Sequence, residues 1–182
     1  DVSGKGVGAA LLMANLQATL RARLVPGADL AAVADALDRD TEASTPPEVF
    51  LTLFAGLLDH RRGELRYVNA GHNAQYLVRA GGGFERLASS GLPLGVFSGR
   101  GYTEGRVPVG PGDLLFFYTD GVVECENDTG ETFGETRLER ILSDAHAQGS
   151  EAVMAAVERS LRAFRGATEP SDDATMMVLR IA

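Results

Sequence analysis

Cysteine is nearly missing from this chain: Cys125 stands alone among 182 residues. A disulfide within the chain and a cysteine-built zinc cluster are both excluded. No apolar run approaches the roughly 18 residues that a membrane helix requires, and no signal peptide is visible. Positive charge is scarce as well. Lys and Arg number 17 against 25 Asp and Glu, for a net charge of -8 and a pI near 4.9. That balance argues against a nucleic-acid binder, whose footprint is usually basic. A phosphate-bearing ligand would need local cations, from side chains or from bound metal. These absences make the cytoplasm the expected compartment. Internal repeats are lacking, and low complexity is confined to the turn Gly81-Gly82-Gly83. An initiator Met is absent too, and the chain opens on a glycine-rich turn, so a fragment or excised domain is expected.

What is present is ordinary globular composition, 45% hydrophobic and 23% charged, read as one domain over residues 1–182 with a real core. Leu12, Leu16, Leu20 and Leu24 recur on one face of a helix over Val7–Leu24, broken by Pro26-Gly27. Leu30, Val33, Ala34 and Leu37 place a second helix, with Ala28 or Asp29 at its start and Thr45-Pro46-Pro47 at its end. Val49–Leu58, Glu64–Asn69, Gln75–Arg79, Phe84–Leu87, Thr103–Val107 and Leu114–Tyr118 read as strands. Their short, Gly-rich turns favour antiparallel neighbours. Helices over Glu135–Ala147 and Ser150–Phe164 and a last strand over Ala174–Ile181 complete an α+β layered sandwich.

Three acidic turns punctuate this pattern: Asp1-Val2-Ser3-Gly4, Thr119-Asp120-Gly121, and Asp172-Asp173-Ala174. Each sits beside an expected buried strand. Mg²⁺ and Mn²⁺ take hard oxygen ligands and keep several waters, so two or three Asp carboxylates suffice to hold them. Singly, each turn has an ordinary explanation. Asp-Gly is a common turn dipeptide, Asp172-Asp173 suits a solvated turn after Pro170, and a terminal Asp frays. Together they point to a cation site, because adjacent carboxylates repel one another unless a cation relieves them.

Other candidates carry less. Gly4-Lys5-Gly6 lacks P-loop spacing. Gly4, Gly6 and Ala9 fit the loose dinucleotide fingerprint, but the parallel βαβ setting that an oxidoreductase domain needs is missing. His72, in Asn69-Ala70-Gly71-His72-Asn73, suits a phosphate donor or an acid/base group, or a backbone-bonded loop residue. Lys5 could bind phosphate or be a solvated side chain. Cys125 lies between Glu124 and Glu126, which gives no thiolate activation, and Ser3 has no His partner nearby in sequence.

The turns at Asp1–Gly6, Asn69–Asn73, Tyr118–Val122 and Asp172–Thr175, in that order and at those spacings, resemble the bacterial SpoIIE/RsbU-type phosphatases over the whole chain. These belong to the metal-dependent serine/threonine phosphatases of the type 2C fold. The resemblance implies an α-β-β-α sandwich, two antiparallel sheets flanked by helix pairs, with a centre of two Mn²⁺ or Mg²⁺ ions. Asp1 would bridge the ions and the Val2 carbonyl would bind one. Asp120 and Asp172 would bind the other, with Asp173 in reserve if the register shifts by one. Lys5 and His72 would face the substrate. The implied reaction is hydrolysis of phosphoserine or phosphothreonine by metal-activated water, on a partner such as a phosphorylated anti-sigma-factor antagonist, under the control of an upstream sensor domain. Two departures are expected to matter. The family's first strand and its Gly-Gly-Asp-type motif are absent, leaving the site one carboxylate short and activity weak or nil. The alternative is then a catalytically impaired regulatory or binding fragment. In addition, no His follows the bridging Asp, so the acid for the leaving group is unassigned.

Overall fold

The computed structural model describes residues 1–4, 6–46, 48–97, 99–170 and 172–182. The chain divides into two compact units. The first comprises Asp1–Ala74 and Ala88–Pro108, the second Gln75–Leu87 and Val109–Ala182.

In the first unit, helices α1 (Val7–Arg23) and α2 (Leu30–Ser44) accompany a sheet of β1 (Leu53–Asp59), β2 (Glu64–Ala70) and β5 (Gly105–Pro108). The strand order is β1-β2-β5, antiparallel throughout, with Leu53 opposite Ala70 and Leu65 opposite Val107. The leucine stripe of α1 does the expected work. Leu16 packs with Leu37, Leu51, Ala70 and Leu94, flanked by Leu12 and Leu20. Farther along, Leu24 meets the cluster of Leu30, Ala34, Ala55 and Val68 that seats α2 on the sheet. Asp29 caps α2, its carboxylate accepting from the Ala32 N–H at 3.1 Å, a contact worth about 1 kcal/mol.

In the second unit, β3 (Gln75–Val78), β4 (Phe84–Leu87), β6 (Leu114–Tyr118) and β7 (Met176–Arg180) form an antiparallel sheet in the order β4-β3-β6-β7. Helices α3 (Glu135–Ala145) and α4 (Ser150–Arg165) pack on it through one continuous core. Tyr76, Phe116 and Tyr118 meet Leu138 and Leu142 from α3 and Val153 and Val157 from α4 there. A Tyr76–Glu139 hydrogen bond at 2.9 Å and an Arg86–Glu139 ion pair fasten α3 to the sheet.

Two antiparallel sheets and four helices bear out the α+β expectation. Of the boundaries that differ, three have clear local reasons. The first strand starts at Leu53 rather than Val49, because Leu51 makes isolated bridges to Val2 and Leu94 instead of joining the ladder. The strand expected from Thr103 begins at Gly105. The Tyr102 N–H is taken by Asp35 and the Glu104 carboxylate by Arg66, and these contacts pin the backbone before it reaches the sheet. Finally, α3 ends at Ala145 and tightens into a 3-10 turn at His146–Gln148.

Candidate metal centre

Asp120 opens a 3-10 turn, Asp120–Val122, directly after β6. Its placement is set from two sides. On one, Gln75, fully buried, extends the ladder with its side chain: its amide oxygen accepts from the Tyr118 N–H at 2.7 Å, and its amide nitrogen donates to the Tyr118 carbonyl at 3.3 Å. Burial pushes the Tyr118 phenol up to about 12, so it stays neutral within the core. On the other side, the acidic turn that leads into β7 is laced to Thr119. The Thr119 hydroxyl donates to the Asp173 carbonyl at 3.3 Å and accepts from the Thr175 N–H at 3.0 Å, while the Thr119 N–H donates to the Thr175 carbonyl at 3.1 Å.

Gly121 explains how closely these turns meet. A Cβ built there would lie 2.5 Å from the Asp173 carbonyl oxygen, so only glycine allows the approach. The second unit therefore brings together Asp120 and the Asp172-Asp173 pair from opposite ends of a 52-residue interval. Each of Asp120 and Asp172 turns one oxygen to the N–H of the following residue, at 2.9 Å in both cases. Among the described residues, no basic side chain forms an ion pair with Asp120, Asp172 or Asp173. The two laced turns carry three carboxylates, residue types that a hard divalent cation prefers. Among the described residues, no group of three or more His, Cys, Asp or Glu side chains is arranged to hold a metal ion.

Asp1 and Val2 lie in the first unit, where the opening segment runs antiparallel to residues 50–52. Asp1 and Thr52 exchange backbone hydrogen bonds at 2.8 Å in each direction. Val2 bridges Leu51, and Ser3 exchanges bonds with Phe50 through its N–H and its hydroxyl, both at 2.9 Å. The hydroxyl of the same Thr52 lies 2.8 Å from Nδ1 of His72, and the His72 N–H donates to Asn69 Oδ1 at 2.8 Å. The first unit thus joins Asp1 and His72 through one threonine. Lys5 lies outside the described residues. The residues that sequence reasoning missed are Thr52, Gln75 and Thr119. The one available signal was a polar residue inside or bordering an apolar run, as in Leu51-Thr52-Leu53.

This fold is that of the PP2C-type phosphatases. The PP2C domain of SiaA from Pseudomonas aeruginosa superposes with a TM-score of 0.85 at 23% identity, covering 100% of this chain and 74% of that one. The RsbU and RsbW domains of Rv1364c from Mycobacterium tuberculosis do so at 0.82 and 26%, covering 99% and 51%. Residues 1–182 match the family described as Stage II sporulation protein E (SpoIIE), and the chain belongs to that family. The solved structures it superposes on include PP2C phosphatase domains. Phosphoserine phosphatase RsbU of Bacillus subtilis is 25% identical over 181 residues, 99% of this chain and 53% of RsbU. Protein IcfG of Synechocystis sp. is 31% identical over 131 residues, 72% of this chain and 20% of IcfG. The chain thus spans about half or less of the curated relatives it matches. The catalytic domain of PstP, of like fold (TM-score 0.62, 17% identity, 98% of this chain and 83% of that one), is solved in complex with two manganese ions. Among the described residues of the present chain, no helix is long and apolar enough to cross a membrane.

Proposed function

We propose that this chain hydrolyses phosphoserine or phosphothreonine on a regulatory protein of the anti-sigma-factor-antagonist type, using Mn²⁺ or Mg²⁺. The observation that carries this reading is the lacing of the Asp120 turn to the Asp172-Asp173 turn, with no basic partner for either among the described residues. Asp1, the Val2 carbonyl, Asp120 and Asp172 are the proposed metal ligands, two ions in all, with Asp173 the alternative to Asp172. When bound, the ions supply an activated water nucleophile and neutralise charge on the transferring phosphoryl group. The chain's own residues fix the geometry: Thr119 and Gly121 set the spacing of the acidic turns, and Thr52 holds the Asp1 segment. His72 and Lys5 are the proposed substrate-side groups. Kinship with RsbU supports the choice of substrate class, and an upstream sensor domain is proposed on the same ground.

Calorimetric titration with Mn²⁺, paired with hydrolysis of a phosphoserine peptide, tests the reading. Two binding events, one of them lost in Asp120→Asn together with Mn²⁺-dependent turnover, are expected. Turnover that persists in Asp120→Asn would sink it. Mn²⁺ binding without turnover would favour a regulatory module of the same fold.

A further inference from the structure

The strand that delivers Asp120 is held on its β3 side by a side chain where a sheet ordinarily uses backbone. We propose that Gln75 is a positioning residue for the cation: its amide completes the β3–β6 ladder and thereby sets where Asp120 presents its carboxylate. This rests on the metal centre proposed above.

The register shows what Gln75 replaces. β3 and β6 pair antiparallel, with Val78 opposite Leu114, Leu77 opposite Leu115 and Tyr76 opposite Phe116. Continued two residues further, that register would set Ala74 against Tyr118. The ladder stops short of this pair, because β3 begins at Gln75 and Ala74 lies in the loop that carries His72. Gln75 reaches across in its place. Its amide oxygen accepts from the Tyr118 N–H at 2.7 Å, and its amide nitrogen donates to the Tyr118 carbonyl at 3.3 Å. A facing residue on a paired strand would make the same two bonds. The side-chain amide has the donor and the acceptor of a peptide group, so it can stand in for one.

Burial makes the arrangement specific. Gln75 is 1% exposed, and an amide taken out of water is costly unless it is hydrogen-bonded. The next residue of the strand is gripped from the other edge. The Thr119 N–H donates to the Thr175 carbonyl, and its hydroxyl accepts from the Thr175 N–H. Tyr118 and Thr119 are thus held from opposite sides, and Asp120 follows directly. The β7 side uses a continuous strand, whereas the β3 side depends on one amide. A change at Gln75 therefore releases the end of β6 while the rest of the sheet stays paired. Metal ligands bind well only when the groups behind them keep their geometry.

Calorimetric titration of the whole chain with Mn²⁺ compares two variants. Gln75→Met keeps the side-chain length and removes both bonds, whereas Val153→Ala opens a cavity in the same unit near the start of α4. Gln75→Met is expected to raise the Kd about tenfold, and Val153→Ala to leave it within about twofold despite a lower urea midpoint. Turnover of a phosphoserine peptide should divide the same way: Gln75→Met loses rate at limiting Mn²⁺ and recovers most of its kcat at saturation. A second readout needs no metal. In the metal-free protein, amide exchange at Tyr118, followed by NMR, should accelerate about tenfold in Gln75→Met relative to Leu115 and Phe116 on the same strand. Gln75→Asn, whose amide falls one methylene short, is expected to match Gln75→Met and replaces it if that variant does not fold. An Mn²⁺ affinity unchanged in Gln75→Met, or lowered as much in Val153→Ala, would overturn the positioning role and leave the metal centre standing. No Mn²⁺ binding by the unsubstituted protein would overturn both.

Discussion

At the scale of single residues, the acidic turns are held by groups that carry no charge. Gly121 is the tightest constraint, since any side chain there meets the Asp173 backbone. Gly121→Ala is expected to cost about 1–3 kcal/mol in urea denaturation, the range seen for overpacking, and to weaken Mn²⁺ binding because the two turns must part. A variant with unchanged stability and unchanged Mn²⁺ affinity would show that the turns tolerate separation. The acidic residues themselves were legible in the sequence from their position beside apolar runs. Their supports were not. Thr52 reaches partners 51 and 20 positions away, and Gln75 one 43 positions away, so their place in or beside an apolar run hints at burial but not at what they hold.

At the scale of elements, the start of α2 is tied to β2 by an ion pair with added hydrogen bonds. Arg66 binds both oxygens of Glu104 and the Ala28 carbonyl, while Glu104 accepts from the Leu30 N–H at 3.4 Å. Both side chains are largely buried, 19% and 12% exposed, so solvent screens the pair only in part. The hydrogen bond from Arg66 holds the Glu104 carboxyl below its ordinary value. A carboxylate whose pKa is lowered by folding stabilises the fold above its unfolded pKa, about 4.3, and loses that contribution as pH falls through the folded value. Glu104→Gln is therefore expected to cost about 2 kcal/mol near pH 7 and much less at about pH 3, as read by urea midpoints at the two conditions. An equal loss at both would assign the effect to packing. The helices were legible because a repeating leucine or valine face is a local signal, as in Leu12-Leu16-Leu20 and Val153-Val157. The strand order β4-β3-β6-β7 was not, since β6 and β7 pair across two intervening helices.

At the scale of the whole molecule, the net charge of -8 bears on stability as well as on binding. An excess of negative charge raises the free energy of the compact state through self-repulsion, and a bound cation at the proposed centre would relieve part of it. Mn²⁺ at 100 times its Kd is expected to stabilise the protein by about 2.7 kcal/mol, seen as a melting temperature that rises with metal concentration. The rise should shrink in Asp120→Asn. A melting temperature indifferent to Mn²⁺ would show that the native fold does not bind the ion in preference to the unfolded chain.

The lacing of Thr119 to Thr175 also sets a schedule. The Asp120 turn leaves the ribosome some fifty residues before the segment that must grip it, with α3 and α4 synthesised in between. A nascent chain, or one cut short before Met176, carries the Asp120 turn held on its Gln75 side alone. With Asp120 and Asp172 as the proposed ligands, competence to hold the ion arrives late in synthesis, and a chain stopped upstream of β7 is expected to bind no Mn²⁺ at this turn.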